Sequence, residues 1–133
     1  MSVNLLIITH EEIGDALVKA ASSALGGMPL PTTVVTVSYD TDPDELLKKL
    51  KQVSCNLLQG DDGLLVLTDL YGSTPSNIAA SLQENNRIRV IAGLNLPMLI
   101  RIMNYSQLPL EELAEKALSG GKDGVINCSK NYA

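Results

Sequence analysis

His10 is the only histidine of the chain and the side chain best suited to nucleophilic chemistry. It follows the apolar run of residues 3–8 and lies where a buried strand would end. The segment Thr9-His10-Glu11-Glu12 has the spacing of a capping box, which predicts that His10 lies in the first turn of the following helix. Free amides and the positive helix end favour an anion there. A phosphoryl group on His10 would then be held without a metal.

Asp69 is the candidate partner of the imidazole, because it directly follows the apolar run of residues 63–68. A buried carboxylate is costly without a partner. If Asp69 accepts a hydrogen bond from Nδ1–H of His10, it fixes the tautomer and leaves Nε2 as the nucleophile. It also stabilises the positive charge that develops on the ring during attack. The alternative is that Asp69 only caps the turn that follows it.

The next segment, residues 71–75, combines a turn with hydrogen-bond donors and a helix start. The candidate phosphate-binding residues in this segment are Gly72, Ser73 and Thr74. Thr9, which directly precedes His10, is a fourth candidate. Thr74 is also expected to cap the helix that begins at Pro75, and Tyr71 is expected to form a pocket wall. Such donors stabilise the charge of a phosphoryl-transfer transition state. The set predicts one anion pocket that holds one nucleophile.

Apolar runs of strand length alternate with segments of helical period along the whole chain. The predicted strands are residues 3–8, 33–37, 63–68 and 87–92, and the predicted helices are residues 13–24, 43–57, 74–82, 96–103 and 110–118. Continuous apolar strands separated by helices predict a parallel sheet covered on both faces. The expected fold is therefore α/β: a single domain over residues 1–133, built as a three-layer sandwich around a central, mainly parallel four-stranded sheet.

Two further features concern the edge and the end of this sheet. If the strand order begins 2-1-3, the segments after strands one and three flank one crevice at the carboxyl edge, where ligands bind in open parallel sheets. The pair Gly120-Gly121 is expected to break the chain, and residues 125–128 are expected to form a last short strand.

Composition excludes several classes of function. The net charge of −5 and the pI of about 4.7 argue against nucleic-acid binding, because an acidic surface repels a phosphate backbone. No apolar run approaches the roughly 20 residues that span a bilayer, and no signal-like segment starts the chain. Cys55 and Cys128 lack metal-like spacing and are expected to be reduced thiols of a cytoplasmic protein. We expect no metal site and no cofactor.

Three segments together resemble one known family. They are residues 7–10 (IITH) with Ile13-Gly14, residues 68–77 (TDLYGSTPSN) and residues 90–99 (VIAGLNLPML). In this order they resemble the mannose-family IIA component of the bacterial phosphotransferase system, over nearly the whole chain.

The resemblance implies a cytoplasmic homodimer in which a C-terminal strand, here residues 125–128, crosses to the partner subunit. It implies that His10 accepts a phosphoryl group from phospho-HPr and passes it to a IIB component for sugar uptake, and that Asp69 assists the histidine. Association with the membrane would be indirect, through a permease complex.

The chain departs from the family pattern at two positions. Many relatives carry glycine directly after the histidine, where this chain has Glu11, which adds negative charge near an incoming phosphate. A tryptophan that is common in the second segment is here Tyr71.

Three other functions remain open at the level of sequence. One is a sensor whose phosphorylation regulates other proteins in a system without a permease, and another is a phosphoryl donor for an enzyme of the dihydroxyacetone-kinase type. The third is an independent enzyme that acts on a small phosphorylated substrate, against which the sequence shows no P-loop and no metal-binding motif.

Overall fold

The computed structural model describes residues 3–59 and 63–129, in which strands and helices alternate. The elements in chain order are β1 (Asn4–His10), α1 (Ile13–Leu25), β2 (Thr32–Val37), α2 (Pro43–Leu57), β3 (Leu64–Thr68), α3 (Thr74–Ser81), β4 (Ile88–Ala92), α4 (Leu96–Asn104) and α5 (Leu110–Asp123). A 3-10 turn, Leu82–Glu84, follows α3 directly. Within these ranges, no helix is both long and apolar enough to cross a membrane.

The four strands form one parallel sheet in the order β2-β1-β3-β4. This confirms the predicted α/β class, the four-stranded sheet and the 2-1-3 start of the strand order. Strand β1 is central and pairs with β2 and β3, with Ile8 opposite Thr68 and His10 opposite Val37. The carboxyl ends of β1, β2 and β3 therefore meet at one edge of the sheet.

The core has two layers because side chains alternate across the sheet. Leu5 and Ile7 of β1 pack in the cluster that includes residues of α1, α4 and α5, while Leu6 and Ile8 pack in the cluster with α2 and α3. All four side chains are fully buried. Burial of each such side chain contributes roughly 1.5–3 kcal/mol, so β1 is firmly held by both layers.

Local sequence signals explain where several helices begin and end. Gly26 ends α1 in the left-handed conformation with φ 75°, and Pro43 is the first residue of α2, as predicted. The cap of α3 differs from the prediction, because Ser73 rather than Thr74 holds the N-cap position. The Ser73 hydroxyl oxygen accepts a bond of 3.4 Å from the Ser76 amide.

The end of the chain differs most from the prediction, because α5 continues through Gly120 and Gly121 to Asp123. A Cβ atom at Gly120 would lie 2.7 Å from Cβ of Arg101, and one at Gly121 would lie 2.8 Å from Cε of Met98. The two glycines thus allow α5 to pack closely against α4 rather than breaking the helix. Residues 125–127 form neither helix nor strand, so the fifth strand is wrong for the single chain. Exchange of this segment between subunits stays a prediction.

Candidate functional site

His10 and Asp69 meet at the carboxyl edge of the sheet. His10 is the last residue of β1, and Asp69 directly follows β3, the neighbouring strand. Nδ1 of His10 lies 2.9 Å from Oδ2 of Asp69, and the same oxygen accepts a 2.9 Å bond from the His10 backbone amide. The structure therefore contains the contact that the sequence predicted between these two side chains.

The contact with Asp69 favours one tautomer of the neutral imidazole. A carboxylate only accepts hydrogen bonds, so Nδ1 carries a proton and Nε2 keeps its lone pair in the neutral ring. The His10 side chain is 28% exposed, whereas that of Asp69 is 9% exposed. The imidazole is thus accessible from solvent and is supported from behind by a nearly buried acid.

The second carboxylate oxygen of Asp69 shapes the electrostatics of the pair. Oδ1 is buried and has no hydrogen-bond partner among the described residues. A buried carboxylate that is only half satisfied gains most from a positive charge nearby. Asp69 therefore stabilises the His10 ring most strongly when that ring carries a positive charge.

The predicted capping box has a different geometry in the structure. Helix α1 begins at Ile13, so His10 ends the strand and does not lie in the first turn of the helix. Thr9 is fully buried, and its hydroxyl oxygen accepts a 2.8 Å bond from the Gly14 amide. Because successive residues of a strand face opposite sides, Thr9 points away from His10 and holds the start of α1 instead of a phosphate.

The predicted phosphate donors in the segment between Asp69 and α3 differ in whether they are available to a ligand. The Ser73 hydroxyl donates a 2.7 Å bond to the Leu70 carbonyl, so its proton is already used within the turn. Gly72 is exposed and has φ 85°, a conformation that suits glycine. Thr74 is also exposed and lines the same crevice as His10. Thr74 and the Gly72 backbone therefore remain as candidate phosphate donors.

A crevice of about 450 Å³ opens beside His10, between α3 and the loop that joins β2 to α2. Its lining includes three residues of that loop that sequence reasoning missed: Ser38, Tyr39 and Thr41. The predicted strand order 2-1-3 could have indicated them, because it brings the carboxyl end of β2 to the same edge of the sheet as His10. Tyr71, the predicted wall, is 85% exposed and lies outside the lining, where Tyr39 is found instead.

A carboxylate in the same loop adds negative charge near the crevice. The Ser38 hydroxyl donates a 2.7 Å hydrogen bond to Asp40. This bond lowers the pKa of the Asp40 carboxyl below its usual value, with a further contribution from a backbone hydrogen bond. Asp40 thus stays ionised at mildly acidic pH.

Glu11 adopts a backbone conformation that explains why glycine suits the position after the histidine. It is the one non-glycine residue in the described ranges with positive φ, at 48°. Its amide still donates a 2.9 Å bond to the Val37 carbonyl, which extends the pairing of β1 with β2. The left-handed conformation costs a non-glycine residue roughly 1–2 kcal/mol, so Glu11 is strained.

Relief of this strain is testable by denaturation. We expect Glu11→Gly to raise the free energy of unfolding by about 0.5–1 kcal/mol, because the relieved strain exceeds the added entropy of the unfolded chain. The measurement is urea denaturation followed by circular dichroism. Glu11→Ala is the matched control, since it removes the charge and keeps the strain, and its stability should stay within about 0.5 kcal/mol of wild type. Equal gains in both variants would show that charge, not backbone strain, sets the stability.

The sequence is similar to that of a known protein family. A family model described as "PTS system fructose IIA component", where PTS is the phosphotransferase system, matches residues 4–118. The PTS system fructose-specific EIIA component of Bacillus subtilis (strain 168) is 33% identical over 70 residues. That match covers 51% of this chain and 48% of the relative, so it spans about half the length of each.

Solved structures show the same fold over nearly the whole chain. The mannose/sorbose specific IIA subunit of the phosphotransferase system from Enterococcus faecalis is 25% identical with a TM-score of 0.84, covering 96% of this chain and 95% of its own. The component EIIA from Streptococcus agalactiae is 22% identical with a TM-score of 0.81, covering 96% and 98%. Because the family model covers well over half of the sequence, the chain belongs to the mannose-type and fructose-type IIA components of the phosphotransferase system.

Proposed function

We propose that this protein is a phosphocarrier that accepts a phosphoryl group on Nε2 of His10 from phospho-HPr and passes it to a IIB component. The observation that carries the proposal is the 2.9 Å contact between Nδ1 of His10 and Oδ2 of Asp69, on a ring that is 28% exposed. The contact leaves one ring nitrogen as a nucleophile at a surface that a second protein can reach.

The transfer needs only groups that this edge of the sheet supplies. The Nε2 lone pair attacks the phosphorus of the donor, and the bond between phosphorus and the donor protein breaks as the new bond forms. The ring becomes positive in this step because Nδ1 keeps its proton, and the carboxylate of Asp69 balances that positive charge. Thr74 and the Gly72 amide donate to the phosphoryl oxygens. Attack by a nucleophile of the IIB component reverses these changes and returns His10 to its neutral form.

The assembly that we propose follows from membership of the family. The chain acts as a single domain over residues 1–133 in the cytoplasm and forms a homodimer in which residues 125–128 exchange. Two features support the exchange. Val125 is 79% exposed and Ile126 is 60% exposed, and β4 lies at an edge of the sheet that residues 3–59 and 63–129 form. Association with the membrane is indirect, through a permease complex that takes up a sugar. The names of the relatives, which mention fructose, mannose and sorbose, support a role in sugar uptake over a purely regulatory role.

Reconstitution of the relay tests the proposal. The purified protein is incubated with phosphoenolpyruvate, enzyme I and HPr, and its intact mass is measured. We expect one phosphoryl group per chain, labile in acid and stable in base, and its loss when a IIB component is added. Absence of the group would overturn the phosphocarrier role, and turnover of a small phosphoester without HPr would favour an independent enzyme.

A further inference from the structure

The crevice beside His10 has the size of a small-molecule site. Its volume of about 450 Å³ lies within the range of roughly 300–1,000 Å³ that such sites occupy in proteins. The imidazole that it exposes is reachable from solvent. Size alone therefore does not keep a small phosphoryl donor away from the ring, and any preference for a protein donor must come from another property of this edge of the sheet.

The two loops that flank the crevice carry exposed carboxylates. Glu11 and Glu12 directly follow His10, and Asp40 and Asp42 lie in the loop between β2 and α2, which lines the crevice. We call these four carboxylates the acidic rim. All four side chains are exposed, so each charge faces a molecule that approaches the imidazole.

Basic side chains do not balance the acidic rim. Residues 9–18, 38–47 and 69–77, which include the loops around the crevice, contain no lysine or arginine. No ion pair within residues 3–59 and 63–129 involves the rim. Three other carboxylates in the first turns of α1 and α2 differ, because each has a lysine four residues later on the same helix face: Asp15 with Lys19, Asp44 with Lys48, and Glu45 with Lys49.

The fold makes little use of the rim. Glu12 and Asp42 hold the N-cap positions of α1 and α2, but neither side chain makes a cap hydrogen bond. Glu11 keeps a left-handed backbone with φ 48°, which glycine would adopt without strain. Among the described residues, only Asp40 of the four accepts a side-chain hydrogen bond, from Ser38. Strain that does not serve the fold is typical of functional sites.

Exposed apolar side chains lie beside the same nucleophile. Leu70 and Tyr71 directly follow Asp69 and are exposed, and Tyr39 lines the crevice and is 96% exposed. Aromatic residues are enriched where proteins bind one another, whereas a hydrated phosphate anion gains little from apolar surface. This face therefore combines apolar contact area with negative charge.

We propose that the acidic rim selects the phosphoryl donor of His10: it repels small phosphate anions and favours a protein that presents basic and apolar side chains around its phosphoryl group. The proposal rests on the carrier function and adds to it the discrimination between donors. The rim is not a binding site of its own, because it changes only which molecules reach the imidazole. Like charges weaken an encounter and opposite charges favour it, so the same carboxylates act in opposite directions on the two classes of donor.

The chemical step is the same for both classes. Nε2 of His10 forms a bond to phosphorus, and the bond between phosphorus and the leaving group of the donor breaks. The leaving group is ammonia when the donor is phosphoramidate, a small anion, and unphosphorylated HPr when the donor is phospho-HPr. A difference between the two donors in their response to the rim therefore reports on the encounter and not on the nucleophile.

Two triple variants that lose the same charge test the proposal. The rim variant carries Glu11→Gln, Glu12→Gln and Asp42→Asn. The control variant carries Glu84→Gln, Glu112→Gln and Glu115→Gln, which remove three exposed charges outside the loops around His10. The measurement is the second-order rate constant for loading by phosphoramidate and by phospho-HPr, from intact mass over time, at low ionic strength where charges are weakly screened.

We expect phosphoramidate to load the rim variant about fivefold faster than wild type, because Coulomb repulsion is relieved. We expect phospho-HPr to load it about tenfold more slowly, within the range of electrostatic steering. The control variant should stay within about twofold of wild type with both donors. Added salt should move the wild-type rates in the same two directions, which tests the rim without any substitution.

Three results would overturn the proposal: equal responses of the two variants, changes of the same sign with both donors, or no loading of the rim variant by phosphoramidate. The carrier function would survive each of them as long as phospho-HPr loads the wild-type protein. Failure of phospho-HPr to load the wild-type protein would remove the carrier function and the proposal together.

Discussion

Replacement of His10 by alanine is expected to abolish phosphorylation by phospho-HPr, with incorporation at the level of a sample without enzyme I. His10 is the only histidine of the chain, so no other imidazole can accept the phosphoryl group. The measurement is intact-mass spectrometry over a time course, beside the wild-type protein.

A second variant separates the loss of the nucleophile from damage to the site. His10→Asn removes the imidazole and keeps an amide nitrogen on Cγ, where Nδ1 is attached in histidine, so that it can donate to Asp69, while the backbone amide of residue 10 keeps its bond to the same carboxylate. We expect wild-type stability in urea and no acid-labile phosphoryl group. Persistent label in either variant would place the acceptor on another residue.

Asp69→Asn is expected to slow phosphorylation of His10 by a factor on the order of 10², judged from the role of the orienting acid in catalytic triads. The amide keeps an oxygen acceptor for Nδ1–H and for the His10 backbone amide but loses the charge that balances the cationic ring. The measurement is the initial rate of label transfer from phospho-HPr in rapid-quench experiments, at saturating donor.

The control for Asp69→Asn must remove the same charge elsewhere. Asp15 is exposed in the first turn of α1, and Asp15→Asn changes the net charge equally. We expect its rate to stay within about twofold of wild type, since exposed charges are screened. A near-normal rate for Asp69→Asn would show that the carboxylate only caps its turn.

The sheet and the pairing of His10 with Asp69 were predictable because strong physical terms determine them. All five residues of β3 are buried, and such continuous apolar strands form only in a sheet that is covered on both faces. Once β1 and β3 are neighbours and parallel, the residues that end them must lie side by side. The one assumption was the strand order, which the structure confirms.

Other features escaped prediction because the same residues satisfy two geometries. Thr9 has capping-box spacing, yet the chain remains extended through His10, and the Thr9 hydroxyl reaches the Gly14 amide from the strand. The pair Gly120-Gly121 predicts the end of a helix, but in the fold the two glycines allow α5 to pack closely against α4. The contribution of Tyr39 to the crevice depends on the path of a loop, which local pattern does not encode.

The double hold of Asp69 on His10 has a consequence for the chemical identity of the phosphorylated protein. One carboxylate oxygen binds both the backbone amide and Nδ1 of the same residue, so a flip of the ring breaks a charge-assisted bond. Under the proposed function, the chain therefore forms a single regioisomer of phosphohistidine. The phosphoryl group is therefore bonded to the same ring nitrogen when it arrives from the donor protein and when it leaves for the acceptor protein. Both proteins must then bind with the same geometry relative to the ring.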